Sequence, residues 1–153
     1  MLKTITAQKL NTYPNIGLVI SEFNTEITDL LYENAIERLK ELDLSDQNIT
    51  AVWVPGAIEI PLAAQTMAET ENFDVIICLG AVIRGETSHY DYVCQQVSQG
   101  CQQVALSQKI PVIFGVLTTE DESQAFERVQ KGREAVDAAL QMISILDQIQ
   151  SER

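Results

Sequence analysis

The chain carries one histidine, His89, inside the run Gly80-Ala81-Val82-Ile83-Arg84-Gly85-Glu86-Thr87-Ser88-His89-Tyr90-Asp91. The first eight of these residues have the glycine spacing of a phosphate-cradling loop, with Glu86 where such a loop needs lysine. A carboxylate repels the phosphates that lysine attracts, which speaks against a nucleotide triphosphatase. Free backbone N–H groups at a helix start can still seat one phosphate, although the spacing alone reads more plainly as a strand-to-helix turn. Ser88-His89-Tyr90-Asp91 matches a capping box, S-x-x-D, and places His89 in a first helical turn. An imidazole there can take and give a proton near neutral pH. Many histidines merely help a helix to start. A lone histidine at an edge where ligands bind favours the catalytic reading.

Three other segments could serve a ligand. Pro55-Gly56-Ala57-Ile58-Glu59-Ile60-Pro61 has small residues that let a flat ligand approach the backbone, whose N–H and C=O groups can read it. Phe23 could stack on such a ring; Trp53, inside a strand, is expected in the core. Thr119-Glu120-Asp121-Glu122 forms a second capping box. Arg128 follows, and in a chain of net charge −12 it is a candidate anion anchor, against the plainer reading of a solvated surface arginine.

These residues need elements to position them. With 153 residues, the chain is expected to form one domain, 1–153, able to bury a core without disulfides or metal. A β-branched run followed by a helical pattern recurs along it. Strands are expected at Asn15–Ile20, Ile49–Val54, Asp74–Val82 and Pro111–Val116. The first helix spans Glu26–Leu42, with Ile27, Leu30, Leu31, Ala35, Leu39 and Leu42 inward. Others run from Pro61 to about Thr70, from His89 to Ser107, and from about Asp121 nearly to the end. Successive βα units imply a parallel sheet covered on both faces, an α/β three-layer sandwich with four strands in the flavodoxin-like order 2-1-3-4. The first ten residues could be a tail or an added edge strand. Ligands bind such sheets outside the carboxyl ends of the strands, where the segments above fall.

Composition narrows the function classes. An excess of 22 acidic over 10 basic residues speaks against nucleic acid and anionic membranes as partners. With one histidine, no C-x-x-C and no H-E-x-x-H, no metal site is expected. Cys78, Cys94 and Cys101 have no framework spacing and read as small buried hydrophobes. With no apolar leader or span, the expected location is the reduced cytoplasm.

Taken together, Phe23-Asn24, Val54-PGAIEIP-Leu62, Gly80-AVIRGETSHYDYV, Pro111-VIFGVLTTE and Gln124-AFER resemble lumazine synthase, in one register from about Ile16 to Arg128. The stretch around His89 is far more specific than a lone glycine motif. The resemblance implies condensation of 5-amino-6-(D-ribitylamino)uracil with 3,4-dihydroxy-2-butanone 4-phosphate, releasing phosphate and water, without metal or organic cofactor. It implies that Phe23 stacks on the pyrimidine, that Ala57, Ile58 and Glu59 hold the ribityl chain and ring, and that Ala81, Val82 and Ile83 read the uracil edge. Glu86, Thr87 and Arg128 would seat the phosphate, and His89 would move the protons of imine formation and phosphate loss. Phe114 would reach a neighbouring subunit's site in a homopentamer or a multiple of pentamers. Lys131 matches a ligand-contacting lysine and Glu134 an acidic partner of the histidine. The segment between Arg128 and Lys131 is several residues shorter than the family's pattern. A non-catalytic flavin- or lumazine-binding shell protein on the same fold is the alternative; His89 and Arg128 together argue against it.

Overall fold

The computed structural model describes residues 1–151. Its four strands are β1 (Ile16–Ser21), β2 (Ile49–Val54), β3 (Val75–Ile83) and β4 (Val112–Thr119). All pair in parallel, in the order β2-β1-β3-β4. This is the expected flavodoxin-like order. The central strands are continuous apolar runs because both of their faces are covered: every residue of β1 and all but the last of β3 are buried.

One face of the sheet carries helices α1 (Thr25–Glu41) and α5 (Lys131–Ser151), and the other α2 (Ile60–Glu69) and α3 (His89–Gln108). Ile27, Leu31, Ala35 and Leu39 of α1 are buried in the first layer with Ala135, Val136 and Ala139 of α5; Leu30 and Leu42 are half-buried. The second layer joins Ala64 and Met67 of α2 to Val97, Cys101 and Val104 of α3. Gly100 permits that contact, since a Cβ there would sit 2.6 Å from Cγ of Pro61. Cys78 and Cys101 are buried free thiols, whereas Cys94 is only partly so.

Two expectations are revised, and one open alternative is narrowed. Trp53 is 36% exposed, because β2 is an edge strand with one neighbour; its ring meets Tyr32 edge-on at 5.2 Å. The terminal helix is two pieces, α4 (Glu122–Glu127) and α5, turning at Arg128–Gln130. Just past the turn α5 crosses α1 closely, where a Cβ on Gly132 would collide with the backbone oxygen of Leu31. Lys131 N–H bonds the Arg128 carbonyl at 2.9 Å across that turn. Residues 1–10 add no strand to this sheet. They run beside α5, where the Gln8 N–H donates to Ser144 Oγ at 2.8 Å and Gln148 Nε2 to the Thr6 carbonyl at 2.8 Å.

Candidate active site

The carboxyl ends of the strands are tied together by cross-loop hydrogen bonds. Beyond β1, the Glu22 and Phe23 N–H groups donate to the carbonyls of Val54 (2.7 Å) and Pro55 (3.0 Å), joining the ends of β1 and β2. Asn24 adopts left-handed backbone, φ 65° and ψ 47°, at the start of α1, a conformation asparagine tolerates. Its Nδ2 donates to the Ala81 carbonyl at 2.9 Å, tying β1 to β3. The Arg84 N–H donates to the Thr119 carbonyl at 2.9 Å, tying β3 to β4.

These ends enclose a cleft of about 360 Å3. Ala57, Ala81 and Val82 are buried in its floor, with Val93 from α3 behind them. Phe23 stands at the rim 71% exposed, a largely uncovered aromatic side chain. Ile58 and the Glu59 carboxylate complete the β2 side, and Ile83, Gly85 and Thr87 the β3 side. Gly85 has no positive φ, and a Cβ on it would meet nothing within 4 Å. The chain itself does not demand glycine there; the position leaves backbone open to a ligand. Gly80 lies within β3 instead of in a loop, and a Cβ on it would come 2.8 Å from Ser21 Oγ. The P-loop spacing is therefore strand packing followed by a turn.

His89 is the first residue of α3, exposed at the mouth of the cleft. Its backbone N–H donates to Thr87 Oγ1 at 3.2 Å, while Ser88 has helical backbone and makes no side-chain cap. Thr87 thus caps the helix in place of the expected Ser88 box. Asp91 is engaged elsewhere, by Arg84 Nη2 at 3.3 Å. At the second expected box, Asp121 is the cap, its carboxylate accepting from the Gln124 N–H at 2.8 Å. Tyr90 also lines the cleft. Burial, and then the Cys94 thiol, raise its pKa above the ordinary tyrosine value, so its hydroxyl stays protonated at neutral pH.

The arrangement can do three things. It can stack a planar ring on Phe23, read the ring's polar edge with backbone at positions 57–59 and 81–83, and exchange protons through His89. A larger hollow of about 640 Å3 lies under the N-terminal arm. Its Arg38 and Asp137 pair with each other at 2.9 Å, and it gathers none of the strand-end groups, which leaves the smaller cleft as the candidate site.

Comparison with known sequences gives the family. The sequence pattern of the family described as 6,7-dimethyl-8-ribityllumazine synthase matches residues 14–147. The chain belongs to that family. Similar proteins include 6,7-dimethyl-8-ribityllumazine synthases of Coxiella burnetii: that of strain Dugway 5J108-111 is 51% identical over 140 residues, covering 88% of this chain and 93% of the relative. Those of strains CbuG_Q212 and RSA 493 / Nine Mile phase I are each 50% identical over the same span and shares.

Five residues that the lumazine synthase resemblance singled out do not line this cleft, among them Glu134, exposed in the first turn of α5. Glu86 is exposed in the loop between Gly85 and Thr87. Phe114 is half-buried on the edge strand β4. Arg128 is exposed at the end of α4, its Nη1 donating to the Gln124 carbonyl at 2.8 Å. Lys131 is half-buried at the start of α5. Ala125 of α4 packs in the α1/α5 layer, whereas Ala57, Val82 and Val93 of the cleft belong to the α2/α3 layer. Conversely, Asn24, Gly56, Gly85, Tyr90 and Val93 line the cleft without having been singled out as ligand contacts. Val93 was findable, because it stands four residues after His89 and so shares its helix face; Asn24 lies between a strand and a helix, where capping residues fall.

Proposed function

We propose that the chain, residues 1–153 acting as one unit, condenses 5-amino-6-(D-ribitylamino)uracil with 3,4-dihydroxy-2-butanone 4-phosphate to 6,7-dimethyl-8-ribityllumazine, releasing phosphate and water. The observation that carries this reading is the convergence of Phe23, the backbone of 57–59 and 81–83, and His89 on one cleft of about 360 Å3. Phe23 stacks on the pyrimidine, Ala81, Val82 and Ile83 read its polar edge, and Ala57, Ile58 and Glu59 hold the ribityl hydroxyls, the Glu59 carboxylate accepting hydrogen bonds.

The amine of the pyrimidine attacks the ketone carbon of the butanone. The carbinolamine must lose a proton from nitrogen and gain one on its departing hydroxyl, and His89 at the mouth of the cleft can relay both. Removal of the C–H proton beside the imine then expels phosphate, the resulting enol becomes a ketone, and the ribityl-bearing nitrogen closes on that ketone with loss of a second water, His89 standing at the edge where these protons move. Glu86 and Thr87 offer loop backbone to the phosphate, but among the described residues no lysine or arginine lines the cleft, and Arg84, beside it, is engaged by Asp91 and Glu120. Arg128, Lys131 and Phe114 are therefore assigned to the cleft of a neighbouring subunit, in a cyclic homopentamer or a multiple of pentamers. Cytoplasmic residence fits the free thiols of Cys78, Cys94 and Cys101.

Incubation with the two substrates tests the reading. The lumazine's absorbance and fluorescence should rise with one phosphate released per product. Tight lumazine binding by folded protein that forms no product would favour the passive binding protein instead.

A further inference from the structure

We infer that Arg84 is a positioning residue: it clamps the loop 84–88 and the first turn of α3 to the end of β4, and so holds His89 and Tyr90 in place for the condensation proposed above, on which this inference rests. Its backbone N–H donates to the Thr119 carbonyl at 2.9 Å. Its guanidinium places Nε 2.8 Å from Glu120 Oε2 and Nη2 3.3 Å from Asp91 Oδ1, with Cζ 4.4 Å from the centre of the Tyr90 ring. One side chain thereby reaches three places at once: the segment after β4, the first turn of α3, and the back of an aromatic wall of the cleft.

The loop that it spans has little else to fix it. Residues 84–89 are exposed, and around Gly85 even an added Cβ would touch nothing within 4 Å. Isolated surface ion pairs contribute little to stability. A planar guanidinium with two carboxylates and a ring face is a different device, because each partner restricts the fork's orientation. Two carboxylates also neutralise this cation. In a chain of net charge −12, an arginine beside the cleft would be the obvious phosphate anchor, yet its charge is already spent on Glu120 and Asp91. Its work is geometric.

The test uses Arg84→Met, Arg84→Lys and Glu120→Gln in the assembled protein. Amide hydrogen exchange needs no turnover: residues 84–91 should exchange roughly tenfold faster in Arg84→Met, with the β1 and β3 amides unchanged. In turnover, kcat should fall roughly tenfold, with KM for the pyrimidine within about twofold, because a displaced acid–base group costs rate more than binding. Arg84→Lys should recover only part of kcat, and Glu120→Gln should shift exchange and kcat in the same direction by less. Inorganic phosphate should inhibit all variants as it does the wild type. Unchanged exchange in Arg84→Met overturns the clamp. So does a phosphate response of opposite sign, weaker in Arg84→Met and tighter in Glu120→Gln, which would make Arg84 an anchor released by removing its partner. A wild type that forms no product would sink the proposed reaction instead, while exchange still decides whether Arg84 holds the loop.

Discussion

His89 owes its place to a hydroxyl two residues earlier: Thr87 Oγ1 takes its backbone N–H at 3.2 Å, leaving the imidazole exposed at the cleft mouth. His89→Ala should therefore bind the pyrimidine nearly as the wild type does but turn over roughly 10²-fold more slowly, toward the lower end for a lost acid–base group. Paired binding titrations and single-turnover rates check this; equal losses in affinity and rate would make His89 a binding residue. Arg128→Ala probes a different group. A charge-assisted bond from arginine to phosphate contributes about 1.5–3 kcal/mol, so affinity for the butanone phosphate should drop roughly ten- to a hundredfold with that for the uncharged pyrimidine little changed. Arg128→Lys should restore only part of the loss, because lysine lacks the planar fork. Equal damage to both substrates would mean that Arg128 supports the fold or an interface. At this scale the sequence was legible in placing His89 and Phe23 at a ligand-binding edge, where both line the cleft. It misled where two neighbouring hydroxyls competed for one cap: Ser88 fits the S-x-x-D pattern, but Asp91 is drawn to Arg84, and Thr87 caps instead.

The elements that bring these residues together were readable from periodicity, because strands buried on both faces are continuous apolar runs and α1 repeats its apolar positions at helical spacing. What periodicity could not show is where a helix breaks and which distant backbone it then crosses. α4 and α5 read as one helix, yet Gly132 lies against the Leu31 carbonyl of α1, a contact more than a hundred residues away in sequence. Trp53 failed similarly, because nothing local says that β2 is an edge. Gly132→Ala should accordingly destabilise the chain by roughly 1–3 kcal/mol through overpacking, lowering Tm by about 2–4 °C for each kcal/mol in a chain of this size. Gly85→Ala is the contrast, with open space where its Cβ would go, and its stability should stay within about 0.5 kcal/mol of the wild type. Thermal melts of both variants decide; a Gly132→Ala chain as stable as the wild type would show that α5 can slide on α1.

At the scale of the whole molecule, the acidic chain must bind an anionic substrate, and the cleft formed by one subunit gathers a stacking ring, backbone readers and a histidine but not Arg128 or Lys131. The sequence placed the ring, the backbone readers and the histidine at strand ends and Arg128 on the helix after the last strand, but it could not say which belong to one subunit's cleft, because that depends on which sheet face each helix covers. A heterologous interface repeated around a ring would bring one subunit's Arg128 to the next subunit's His89. Native mass measurement at micromolar concentration should show five copies or a multiple of five, and a folded monomer would remove the basis for a shared site. The most direct measurement is complementation between two impaired variants. His89→Ala and Arg128→Ala chains are dissociated, mixed in equal amounts, reassembled and assayed for lumazine fluorescence at low butanone phosphate. If the cleft is shared, about a quarter of the interfaces regain both groups, and the mixture should recover up to that fraction of wild-type activity. A reassembled mixture no more active than the average of its two components would contradict the account, placing His89 and Arg128 in the same subunit's site.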